Sequence, residues 1–167
     1  TSWLIQDCNL GNISANQTKY CLLNVTVPEK MLPGTYSMQP FVKWANPDNT
    51  VNSNSTQVIY ITVTSTRIIN ITLKPVELIV NHDSTNSTWF LINSTGNDEA
   101  RNISLSCELE SNICPYLSFN PSFINSIKAG NYSNVTIIIS LPAGFTPGNY
   151  YPTINASSID NTFDYFS

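Results

Sequence analysis

Charge is scarce in this sequence. Of 167 residues, 7 are Lys or Arg and 11 are Asp or Glu, which leaves 11% charged positions and a net charge of −4. Nucleic-acid phosphates attract basic faces, so this balance argues against nucleic acid as a partner. Histidine occurs once, at His82. Its neighbour Asp83 lies with it in a run of Asn, Asp, Ser and Thr, residues common in turns for backbone reasons alone. No P-loop, nucleophile elbow or metal motif accompanies that pair, so neither an enzyme nor a bound cofactor is expected. No apolar run approaches the ~20 residues of a membrane-spanning helix. The chain opens on Thr1 with neither methionine nor a signal-type segment, which predicts a mature product of export, located outside the cell.

Asn, Ser and Thr fill the place of charge, with 22, 20 and 17 residues. Such a surface stays neutral at any pH, whereas carboxylates lose their charge below about pH 4, so the composition suits an acidic medium. The triplet Asn-x-Ser/Thr occurs at Asn12, Asn16, Asn24, Asn54, Asn70, Asn86, Asn93, Asn102, Asn131, Asn134 and Asn155, eleven sites. Composition alone predicts about five. Their phase is informative. In Asn24-Val25-Thr26-Val27, Asn70-Ile71-Thr72-Leu73, Asn102-Ile103-Ser104-Leu105 and Asn134-Val135-Thr136-Ile137, the sequon residues share one strand face and the apolar residues the other. That arrangement predicts an N-glycosylated exterior over an apolar core.

Four cysteines, Cys8, Cys21, Cys107 and Cys114, allow three pairings, of which sequence proximity favours Cys8–Cys21 with Cys107–Cys114. Zinc is the competing reading, but neither pair has CxxC spacing and His82 is remote from both. Disulfides fit an exported protein, and closing the short loop at 107–114 stabilises by roughly 2–3 kcal/mol on the chain-entropy model.

A pattern repeats. Residues 27–42, VPEKMLPGTYSMQPFV, return as residues 141–156, LPAGFTPGNYYPTINA, each with Pro-Gly followed two positions later by Tyr: Pro33-Gly34 before Tyr36 and Pro147-Gly148 before Tyr150. Pro presets φ and Gly permits the positive φ of a type II turn, so each copy reads as a strand, a tight turn and a strand. Further strands are expected over residues 20–27, 36–44, 56–64, 67–73, 76–80, 87–93, 102–107, 116–120, 133–141 and 150–156, with 46–55 as turn and no helix. Many short alternating strands between Gly, Pro and Asn turns predict an all-β antiparallel sandwich. Pro75 divides residues 9–74 from residues 75–167, with residues 1–8 as a separate N-terminal strand. Trp3, Trp44 and Trp89 could stack on sugar rings, although small sandwiches use the same residues as core, and core is the reading taken.

Each module is short of something. The first has no counterpart of strands 76–107, and the second has six residues, TFDYFS, where the first has the nine of 56–64. Open sheet edges recruit strands, and donation between subunits satisfies them. Ser2, Trp3, Leu4, Ile5 and Gln6 are the candidate donor strand. The acceptor groove is expected between Val76, Leu78 and Val80 on one side and Tyr150, Ile154 and Ala156 on the other. The competing arrangement folds residues 162–167 back as the module's own last strand, with Phe163 and Tyr165 inward.

Through its sequon density, Asn/Ser/Thr-rich strands, low charge and Pro-Gly-x-Tyr segments, the chain resembles the thread filament subunits of Sulfolobus-type archaea. The resemblance implies immunoglobulin-like, pilin-like β-sandwiches carrying N-glycans and joined head to tail with identical subunits by donor-strand complementation. It implies an extracellular, cell-surface filament used in adhesion or cell–cell contact. A surface-layer or adhesin module of the same fold, or a sugar-binding module, not polymerised, is the alternative.

Overall fold

A computed structural model describes residues 4–5, 8–55, 57–72, 74–75, 77–108, 112–159 and 163–166. The described residues form antiparallel β-sheets with one 3₁₀ turn, Cys114–Tyr116, and no α-helix. Two compact units divide the chain, Thr1–Thr64 and Ser65–Ser167.

The first unit holds β1 (Leu4–Ile5), β2 (Val25–Thr26), β3 (Gly34–Met38), β4 (Phe41–Ala45), β5 (Val51–Ser55) and β6 (Ile59–Val63). Strand β1 pairs with β2, β3 with β6 and β4 with β5. The last two pairs continue one long hairpin: Gly34 faces Val63 and Met38 faces Ile59, while Phe41 faces Ser55 and Ala45 faces Val51. Between them residues 39–40 stand opposite residues 57–58, and Pro40 has no N–H to give a ladder. The strand expected over 36–44 is therefore two strands. The turn expected over 46–55 shrinks to its first half, where Asn46 N–H donates to Thr50 O at 2.9 Å and Asp48 accepts from Thr50 N–H at 3.0 Å. Residues 51–55, VNSNS, have turn composition but face a β-ladder partner.

The second unit contains β7 (Ile69–Thr72), β8 (Ser84–Ser94), β9 (Ala100–Cys107), β10 (Leu117–Asn120), β11 (Phe123–Ile127), β12 (Tyr132–Leu141), β13 (Ile154–Ser157) and β14 (Phe163–Phe166). One sheet runs β10-β12-β8-β7 and the other β11-β9-β13-β14. These are the ABED and CFG orders of an immunoglobulin-type sandwich, with β11 added beside the C position. Its spine is the β8–β12 ladder, from Ser84 opposite Leu141 to Asn93 opposite Tyr132. Alternate residues face inward, and Phe90, Ile92, Ile103, Val135, Ile154 and Ala156 are sealed between the sheets.

The break between units precedes Ser65 instead of falling at Pro75. Strand β7 pairs with β8, and the residues leading into it are clamped by the β8–β9 loop. Asn97 N–H donates to Thr66 O at 2.9 Å, Thr66 N–H donates to Asn97 Oδ1 at 2.6 Å, and Arg67 bonds Asp98 at 2.8 Å. Gly96 is buried in that clamp, and any Cβ there would run into the carbonyl oxygen of Thr66.

Neither Pro-Gly segment is the turn of a hairpin. Strands β12 and β13 lie in opposite sheets, and β2 and β3 are not partners. The repeat has another form. Tyr36 O–H donates to Leu32 O and Tyr150 O–H to Thr146 O, both at 2.8 Å across four residues. Each copy is thus a tyrosine corner, the device by which a Greek-key sandwich arches from one sheet to the other.

Candidate functional site

Strand edges and sequons are the features the sequence singled out. Of the candidate donor, Leu4 and Ile5 pair with Thr26 and Val25 of the same chain, while Ser2, Trp3 and Gln6 lie outside the described residues. None of residues 8–55 and 57–64 of the first unit is buried. On the long hairpin, Tyr36, Met38, Ile61 and Val63 are half-buried, while Phe41, Val42, Trp44 and Tyr60 are exposed.

The acceptor is not open where it was expected. Ile154 and Ala156 lie buried on β13, whose two edges are taken by β9 and β14. Tyr150 precedes that strand and packs on the core through Phe145, ring centroids 5.3 Å apart. Leu78 and Val80 are half-buried against the core, but residues 77–80 form no strand, and Val76 lies outside the described residues. The edge of β13 that a donor would take is thus filled by the chain's own β14. Its phase differs by one residue from the expected self-closing arrangement. The register Ile154 opposite Phe166 and Ala156 opposite Asp164 turns Phe166 inward, onto Phe90 at 5.2 Å, and leaves Phe163 and Tyr165 exposed.

Strands β7 and β14 are the facing edges of the two sheets. Each lends the other a polar side chain. The Asp164 carboxylate accepts from Ile71 N–H at 2.6 Å, and Lys74, just beyond β7, donates to Tyr165 O at 3.4 Å. Lys74 Nζ also lies 5.8 Å from the Phe166 ring centroid, within reach of a cation–π attraction. At the opposite end of the sheets, edge strands β10 and β11 are joined by the two-residue link Pro121-Ser122.

Nine of the eleven sequon asparagines are exposed. In Asn70-Ile71-Thr72, Asn102-Ile103-Ser104 and Asn134-Val135-Thr136 the apolar middle residue is buried and the Asn exposed. Asn93 and Asn155 are half-buried, and their amide nitrogens are engaged: Asn93 Nδ2 donates to Thr72 Oγ1 at 3.1 Å and Asn155 Nδ2 to Glu108 Oε1 at 3.0 Å. The Asn86 amide donates to Ile79 O at 2.8 Å.

The cysteines pair as Cys8–Cys21 and Cys107–Cys114, with Cα atoms 6.2 and 5.5 Å apart. The second bridge ties the end of β9 to the 3₁₀ turn before β10. Trp44 and Trp89 are 45% and 49% exposed and do not serve as core, against the reading of the aromatics as sandwich filling. The core is built of Ile and Val with Phe90 and Phe166 because these pack the thin space between sheets without a polar edge to satisfy. His82 and Asp83 are exposed in the turn before β8. Among the described residues no three His, Cys, Asp or Glu side chains gather to hold a metal ion, and no helix is long and apolar enough to cross a membrane. Set against known proteins, the chain matches no family model and no curated protein.

Proposed function

We propose that this chain is the structural subunit of an extracellular, glycosylated filament, in which identical copies join head to tail by donating a strand. The filament serves adhesion or cell–cell contact. The observation that carries this reading is the first unit: over residues 8–55 and 57–64, five strands, one tyrosine corner and a disulfide enclose no buried residue. A sheet with an apolar face and nothing over it is stable only when something covers it. Its described N-terminal strand makes a two-residue pairing, Leu4–Ile5 on Val25–Thr26. A contact from the start of one chain to the second unit of another is heterologous and does not close, which yields a filament. Glycans on the exposed sequons would shield the outer sheet faces from unwanted association.

Removal of residues 1–6 tests the reading. Full-length material is expected to sediment as a polymer and the truncated chain as a monomer. Intact mass is expected above that of the bare chain, with glycans at the exposed asparagines and none at Asn93 and Asn155. Filaments that assemble equally without residues 1–6 would rule out strand donation. The non-polymerised surface-layer or adhesin module is favoured by one observation, the closure of β13 on both edges within its own chain. A full-length chain that stays monomeric would select it.

A further inference from the structure

We propose that the seam between β7 and β14 is the strand-accepting edge of the second unit, and that Asp164 and Lys74 form a latch that an incoming strand displaces. This inference rests on the filament reading above and names the site where a second copy docks.

Backbone groups alternate along a strand, so those facing a partner are followed by those facing away. On β7, Ile71 N–H goes to Asp164, a residue of β14, so Ile69 and Ile71 direct their backbone groups away from β8. On β14, Tyr165 O receives Lys74, which marks Phe163 and Tyr165 as the residues facing away from β13. These outward groups are what an added strand would pair. At present a carboxylate meets a donor and an ammonium meets an acceptor, each borrowed from across the seam. That is how an edge is kept from recruiting a neighbour by accident, and it is reversible, because both capping groups are side chains that water can satisfy. At the β10–β11 end, by contrast, Pro121-Ser122 joins the two edge strands directly.

The occupant is the N-terminal strand of a second copy. In the described chain it has the shortest pairing, two residues, and it belongs to the unit whose residues 8–55 and 57–64 include none that is buried. Beside the seam Phe163 and Tyr165 are 67% and 57% exposed, an apolar shelf on which the side chains of an incoming strand can lie. Pairing with β7 replaces the Asp164–Ile71 bond by a ladder and releases the carboxylate to solvent.

The test uses the full-length chain with Leu4 replaced by a photo-reactive phenylalanine derivative, prepared as a mixture of light and isotopically heavy copies. Illumination of the assembled material should give light–heavy crosslinks to residues 69–72 or 163–166. Asp164→Ala removes the latch on β7 and should speed assembly roughly tenfold, the size of one charge-assisted hydrogen bond. Lys74→Ala, an exposed change that leaves the core untouched, should speed it by a smaller factor. Filaments whose crosslinks fall on other residues, or whose assembly rate ignores both substitutions, overturn the seam while the filament reading stands. Crosslinks confined to residues 25–26 of the same copy, with no polymer from any variant, overturn both.

Discussion

The two units carry the same corner and differ in everything around it. Tyr36 and Tyr150 each donate to a carbonyl four residues back at 2.8 Å. In the second unit the corner is embedded: Tyr150 packs on Phe145, which meets Tyr116 edge-on at 5.1 Å, and two four-stranded sheets close over Phe90 and Ile92. In the first unit the corner opens onto a long hairpin with no second sheet described above it, although Tyr36 is half-buried just as Tyr150 is. A tyrosine corner is therefore a local device, specified by five consecutive residues. A core is not local, because apolar area leaves water only when a second layer arrives.

The comparison is most exposed to substitution at its two extremes. Phe90→Ala should cost about 3–5 kcal/mol in urea unfolding of the second unit, whereas Ile61→Ala on the open hairpin should change stability by less than about 0.5 kcal/mol. A large loss from Ile61→Ala in the monomer would break the contrast, because that face would then be covered. The clamp that assigns Ser65–Ile68 to the second unit can be loosened next. Gly96→Ala forces a Cβ onto the Thr66 carbonyl and should cost about 1–3 kcal/mol, with faster hydrogen exchange at Thr66 and Asn97. Exchange at the two sites that stays slow would show that β7 does not depend on the loop.

The corners give a matched pair. Tyr150→Phe should cost about 1 kcal/mol, the net worth of a hydrogen bond in a packed setting, and Tyr36→Phe should leave the unfolding midpoint of the monomer in place. Equal effects would mean that the bond alone, without packing, sets the stability of the corner. Acid supplies the smallest effect. The Ser65 hydroxyl first, then Glu99 N–H and the Arg67 guanidinium, hold the Asp98 carboxyl below the usual carboxylate range. A group whose folded value is lowered stabilises the fold above its unfolded value near ~4 and loses that contribution as pH falls through the folded value. The clamp should therefore weaken below about pH 4, and Asp98→Asn should flatten that dependence in a pH series of thermal unfolding. A dependence that survives the substitution would place the acid sensitivity on other carboxylates.

How much could be read in advance differs between features. Strands whose apolar residues alternate over a buried face, such as β8, β12 and β9, were legible because one face meets a core and selects Ile, Val and Phe at every second position. Strand β5 was not: Asn52, Ser53, Asn54 and Ser55 have no buried face and are held in a ladder by residues 41–44 across the hairpin. The Pro-Gly-x-Tyr repeat was visible as a repeat, but a turn between partners and an arch between sheets use the same Pro and Gly. What distinguishes them is the Tyr hydroxyl reaching back four residues, for which the Pro-Gly-x-Tyr spacing was the available signal. The last strand was legible only in outline: residues 162–167 were weighed as a self-closing strand with Phe163 and Tyr165 inward, whereas it is Phe166 that finds Phe90 and Asp164 that finds Ile71 N–H.

By itself the sequence determined the all-β class, the solvent face of the strands around Asn70, Asn102 and Asn134, and the position of both corners. Each of these is decided within a few neighbours along the chain, by alternation and by backbone preference. Tertiary structure alone decided which strands became neighbours, that β7 belongs to the second unit, and that Asp164 and Lys74 face each other's edges across the sandwich. Those outcomes depend on groups as far apart as Ile71 and Asp164, and no local preference encodes a contact whose partner is chosen by the closing of two sheets.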